Sequence, residues 1–139
     1  MKYIFLILSM QYVLFANFTR TNATVEDSQT NLQWQDDVNT SLNDWKEALN
    51  YCENLTLATF DDWRLPDINE FKTIIFRQRV APMIKSIFQN TEADVYWSST
   101  VYKSQASEGV WSVAFDDGSI GETEKAETGI YVRCVRGGK

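Results

Sequence analysis

A chain of 139 residues with net charge −6, five Trp, six Tyr, eight Phe and two Pro has the length and composition of one folded domain, not of a disordered segment. Its acidity sets it against nucleic acid and other polyanions, so no nucleic-acid partner is expected. With no histidine, Ser-His-Asp triads, Cys-His pairs and His-ligated zinc are excluded, and catalysis would have to come from carboxylates, Tyr, Lys or Cys.

In chain order, Met1-Lys2 is followed by apolar runs from Tyr3 to Met10 and Tyr12 to Phe15, ending at Ala16. One positive charge, a short apolar stretch and a small residue are the parts of a cleavable signal peptide. The run is shorter than the roughly 20 residues of an ordinary membrane span, and a short anchor is the alternative. Residues 1–16 are thus expected to be a signal peptide and 17–139 a single exported domain. It would sit in the periplasm, at the cell surface or outside the cell, with no stable membrane anchor after cleavage.

A polar opening rich in Thr and Asn leads to Thr30–Asp37, where Leu32 and Trp34 alternate with polar residues as in a short half-buried strand. Ser41 reads as a helix N-cap with Asp44 three residues on. Trp45, Ala48, Leu49, Cys52 and Leu55 then recur at helical spacing and place Cys52 on an apolar face. Asp61-Asp62-Trp63-Arg64-Leu65-Pro66 is punctuated, because Pro66 pushes Leu65 into an extended conformation. Asp67 is a second N-cap with Glu70 as its capping-box partner. Ile68, Phe71, Ile74 and Ile75 form the apolar face of that helix. A basic patch, Arg77 and Arg79, precedes Pro82, and Met83, Ile84, Ile87 and Phe88 read as a short helical turn or packed loop.

From Val95 the period changes. Val95–Ser99 is strand-like, and Val110–Phe115 alternates with Trp111, Val113 and Phe115 on one side. Asp116-Asp117-Gly118 signals a hairpin turn into a strand at Ser119–Thr123. A polar loop, Glu124–Thr128, precedes a last strand at Ile130–Val135. Helices first and strands after predict an α+β domain with an antiparallel sheet.

The two cysteines, Cys52 and Cys134, are an even count in an exported chain, which argues for a disulfide. A metal site or redox pair is the alternative. Their wide separation argues against a CxxC-type redox site, and a metal would need further ligands.

Several residues carry two readings. Asp61, Asp62 and Arg64 are either functional groups or an internal network that pins Trp63. The network is favoured, because an Arg fork satisfies buried carbonyls and carboxylates well. Asp116 and Asp117 offer oxygens to Ca²⁺, or simply make the turn that Asp and Gly favour. Ca²⁺ is the one cofactor weighed, and none is required by the sequence. Tyr96, Trp97, Tyr102 and Trp111 are either a stacking platform for a sugar or core. Trp97 and Trp111, in strands, are expected in the core. Tyr102 falls in a loop, Thr100–Glu108, expected to be exposed. That loop and Glu124–Thr128 are where a binding surface would vary. Arg133 points opposite to Cys134 in an extended strand and so stands as a candidate exposed group.

WQDD, a Trp-bearing helix ending in YC, DDWRLPDINEF, YWSST, W-x-V-x-F-x-D-G and YVRCVRGG occur in this order from Asn31 to Gly138. Together they resemble the Legionella collagen-like protein C-terminal domain family. The resemblance implies a C-type-lectin-like fold, related to the formylglycine-generating sulfatase-modifying domains, with two helices packed on a twisted antiparallel sheet. It also implies that Cys52 on the first helix bridges Cys134 on the last strand. The best-understood members are surface adhesins that bind polysaccharides, sulfated ones included. A sulfated-glycan binder needs exposed Lys and Arg, whereas this chain is acidic and carries no Gly-X-Y stalk. The calcium-and-sugar signatures of true C-type lectins are also missing from the sequence.

The expected function is a non-catalytic module that binds a glycan or an envelope or matrix component. A polysaccharide or an envelope protein would be its partner. The alternatives are a periplasmic structural or protein-interaction domain, and an enzyme related to the formylglycine-generating enzymes, which would need a reactive Cys pair.

Overall fold

The computed structural model describes residues 17–138, apart from Asn39, Asn43, Arg79 and Ala106 and the side chains of Ser41 and Leu42. The expected signal peptide and Arg79 of the basic patch lie outside the described residues. The strands are β1 (Phe18–Thr21), β2 (Thr24–Asp27), β3 (Leu32–Gln35), β4 (Thr40–Leu42), β5 (Val95–Lys103), β6 (Glu108–Ala114), β7 (Ser119–Thr123), β8 (Ile130–Val132) and β9 (Val135–Gly137). The helices are α1 (Trp45–Glu53) and α2 (Ile68–Lys72).

The expectation of one antiparallel sheet under two helices is corrected. The described residues form two sheets, ordered β1-β2-β3-β9 and β4-β8-β5-β6-β7, and β5 meets β8 in parallel. The cause lies in the last segment, which is not one strand. β8 pairs with β4 and β5, the chain leaves the ladder at Arg133 and Cys134, and β9 then pairs with β3 in the other sheet. One apolar run therefore serves two sheets. The polar opening, given no element from its composition, is the β1–β2 hairpin, turned at Asn22 with φ 23°. Asn tolerates a positive φ in such a tight connection.

β3 is buried along its whole length instead of on alternate residues, because Leu32 and Trp34 lie in the core cluster while side chains of β2, α1 and β9 cover Gln33 and Gln35. Its two glutamines are satisfied internally. The Gln33 amide donates to Thr24 Oγ1 at 3.1 Å. The Gln35 amide donates to the Tyr51 hydroxyl at 3.0 Å, and its oxygen accepts the Cys134 N–H at 3.1 Å.

Asp44, not Ser41, caps α1, accepting the Glu47 N–H at 2.8 Å. Pairing with β8 keeps Ser41 extended opposite Tyr131, so the helix starts later. Asp44→Ala is expected to cost about 1 kcal/mol, read from the urea midpoint. Asp67 caps α2 as expected, through the Glu70 N–H at 2.8 Å. That helix ends at Lys72, and Ile74 and Ile75 lie beyond it, Ile74 buried and Ile75 bridged to Ile84. The segment from Met83 to Phe88 is a packed loop, with Ile84 and Phe88 in the core. β5 runs on to Lys103, so Tyr102 belongs to a strand and not to the loop expected there.

The core divides in two. One cluster gathers Trp34, Phe71, Phe88, Tyr96 and Phe115 between the sheets and α2. The other gathers Ala48, Trp63, Leu65, Trp97 and Val110 around a disulfide. That disulfide joins Cys52 to Cys134 with a Cα–Cα distance of 5.4 Å, and ties α1 to the point where the chain changes sheets. Trp97 is core as expected, while Trp111 is only half-buried.

Candidate functional site

Trp63 organises the segment that precedes the site. Its buried indole N–H donates to the carbonyls of Leu57 at 3.3 Å and Phe60 at 3.1 Å. This closes a turn in which Ala58 and Thr59 hold positive φ of 52° and 71°, and it leaves Phe60 39% exposed. The chain then runs beside β9, with Arg64 and Val135 exchanging both backbone bonds at 2.9 Å. Alternate side chains therefore reach the C-terminal strand.

Asp62 receives Arg136 through Nε and Nη2, the latter at 3.1 Å. Arg64 donates to both Glu70 oxygens, at 2.8 and 3.0 Å, and to the Gly137 carbonyl at 3.1 Å. The expected network exists, but its acids and bases pair with α2 and β9 and not with one another. Asp61 is exposed. The Arg136 bond holds the Asp62 carboxyl below the usual range, whereas burial pushes Glu70 up and outweighs the Arg64 guanidinium. Gly137 has φ +79°, and a Cβ there would collide with the Asn31 carbonyl. Gly137→Ala is expected to cost more than about 1 kcal/mol, seen as a lower melting temperature.

The Arg136 guanidinium lies 3.6 Å over the centre of the Phe60 ring, and its Nη1 donates to Gln33 Oε1 at 2.8 Å. The other end of Gln33 reaches Glu26 at 3.2 Å. These side chains border a cleft of about 370 Å³ on the four-stranded sheet, also lined by Asn17, Thr19 and Asn31. Two motifs far apart in the sequence, DDWRLP and YVRCVRGG, thus meet at one surface.

Tyr102 lies in a second cleft, of about 240 Å³, with Glu108, Glu122 and Glu124. Its ring stands edge-on to Trp111, 5.4 Å between centroids. Lys125 pairs with Glu108 and sits 4.9 Å over the Trp45 ring. Asp116 and Asp117 occupy the hairpin turn, where Asp117 accepts the Ser119 N–H at 2.8 Å and is held below the usual carboxylate range mainly by that residue. The turn is at the far end of β6 from Tyr102, roughly 20 Å away at about 3.3 Å per residue. Among the described residues no group of three or more acidic or Cys side chains is placed to hold a metal ion.

Arg133 is not exposed; only 3% of it is accessible. It donates to the Gln35 carbonyl at 2.6 Å, Asp36 at 3.1 Å and Thr91 Oγ1 at 2.7 Å, and also reaches the Asn90 carbonyl. Phe88 flanks its guanidinium at 4.9 Å. The reason is its position at the change of sheets, where strand alternation no longer dictates which way a side chain faces. The four residues taken from the sequence as ligand-binding therefore do not converge. Phe60, Gln33 and Glu26 border the first cleft and are not among the residues the sequence singles out. The available signal was Phe60, a lone aromatic between Thr59 and Asp61 with no periodic partner.

The model of the Lcl C-terminal domain family matches residues 23–136. No curated protein matches the chain.

Proposed function

Because the chain belongs to the Lcl C-terminal domain family, we propose that it is an exported, non-catalytic module that binds a glycan or an envelope or matrix component. The observation that carries this reading is the Phe60–Arg136 cleft. An exposed ring beside planar hydrogen-bonding groups suits the C–H face and the hydroxyls of a sugar. The Tyr102 cleft supplies a second aromatic surface of similar character. The N-terminal charge, apolar run and small residue support export. Two short helices, two sheets and a helix-to-C-terminus disulfide support a C-type-lectin-like fold.

Both sulfurs are bonded to each other, which leaves no thiol for chemistry of the formylglycine-generating kind. Asp61 and Asp62 are adjacent, a poor arrangement for flanking a glycosidic bond. The test is a glycan array probed with the purified full chain, with and without Ca²⁺. Saturable binding that a chelator leaves unchanged is expected. No binding to any envelope or matrix glycan under either condition would overturn the proposal. A protein-interaction role is the second reading, favoured by Val80 at 86% exposure with Phe76 also exposed. Cross-linking in envelope extract to one protein, with no glycan bound, would select it.

A further inference from the structure

We infer that the Phe60–Arg136 cleft takes an uncharged saccharide and excludes sulfated and carboxylated ones. This rests on the proposed binding function and names the ligand class of that site. Among the described side chains lining the cleft the cationic one is Arg136, and its fork is committed. Nε and Nη2 face Asp62, and Nη1 faces Gln33. A bidentate grip on sulfate or carboxylate needs that fork free.

The other charged groups are acidic. Glu26 and Asp27 line the cleft, and Asp62 stands behind Arg136. Asp27 is engaged by the Gln29 N–H at 2.9 Å and the Thr30 hydroxyl at 2.6 Å. Three carboxylates outnumber the paired guanidinium and the Asn17 ammonium that cleavage after Ala16 would free, so the local field still disfavours an anion, and the chain's overall charge adds to it.

What remains suits a neutral polyol. Asn17, Thr19, Ser28 and Asn31 offer uncharged donors and acceptors along the cleft. Phe60 offers ring surface, and it is held in place by the Trp63 indole below its carbonyl and Arg136 over one face. Gln33 is 7% exposed and bonded at both ends, so it is already oriented before any ligand arrives. A volume of about 370 Å³ is at the small end of ligand sites, the scale of one or two sugar rings.

The experiment uses the full chain, with β-glucan, mannan, galactan and chitin oligosaccharides as uncharged probes and heparin and chondroitin sulfate as anionic ones, titrated at low and high salt. At least one uncharged probe is expected to bind, with affinity constant within about twofold across salt. Phe60→Ala and Phe60→Leu are each expected to weaken it at least about tenfold. Phe60 is 39% exposed, so both variants should still unfold in one cooperative melt, at most a few degrees lower, which separates lost binding from lost folding. Heparin binding tighter than every uncharged probe, and failing in high salt, would overturn the inference and leave the binding function standing. Uncharged binding that survives both Phe60 variants would overturn the site. Failure of all probes would overturn the binding function itself.

Discussion

Arg133→Met is expected to destabilise the domain by about 3–5 kcal/mol, enough to unfold much of it at 37 °C. The side chain is 97% buried, and its two Nη atoms bind two carbonyls, a hydroxyl and Asp36. Methionine keeps the length but takes the guanidinium donors away from those oxygens. The carboxylate of Asp36, itself fully buried, would be left with Arg20 at 2.9 Å and the backbone N–H groups of Gln89 and Asn90. Removing one member of a buried pair costs more than the pair contributes, because the partner stays desolvated. Arg133→Lys keeps the charge without the planar fork and should fall between parent and Met. Urea unfolding of all three proteins measures this. A loss below about 1 kcal/mol in Arg133→Met would show that water replaces the guanidinium at no great cost.

The second large effect is at the disulfide. Cys52→Ala combined with Cys134→Ala is expected to cost about 4 kcal/mol, since the bond closes a loop with a separation of 82 residues. For a domain of this size that is roughly a 15 °C drop in melting temperature. Both sulfurs are fully buried among Ala48, Trp63 and Trp97, so reductant should act only as fast as the protein opens. Melting curves of the double variant and parent, with non-reducing mass spectrometry of the parent under reductant, provide the readouts. Rapid reduction of the folded parent would contradict the burial argument.

The two effects act at neighbouring residues for one reason. Arg133 and Cys134 are the pair at which the chain leaves one sheet for the other. Arg133 binds the change of sheets to β3's end and the loop at 89–91, and Cys134 binds it to α1.

Several readings that depended on neighbours in the chain agree with the structure. Asp67 before an apolar helical repeat caps α2, Asp116-Asp117-Gly118 turns a hairpin, and Ser119–Thr123 is its return strand. The alternation expected at Val110–Phe115 falls in β6 except for Phe115, which lies one residue beyond it, and Trp111 stays half-exposed. Where a reading depended on partners distant in the chain, it failed or fell short. Ser41 offers an acceptable cap in isolation, yet pairing with Tyr131 claims its backbone. Arg133 alternates outward only if Ile130–Val135 is one strand.

The sequence by itself pointed to an α+β domain and to most elements in their order, because composition, local periodicity and capping residues act locally; its resemblance to the Lcl C-terminal domain family added the family and the Cys52–Cys134 pair. Only the tertiary structure decided that there are two sheets, that Arg133 is buried, and that Phe60, Gln33 and Arg136 share a cleft. The physical reason is range. Capping and turn preferences act over three or four residues, whereas Arg136 meets Gln33 across 103 residues and Asp62 across 74. No local period records which strand will lie beside which.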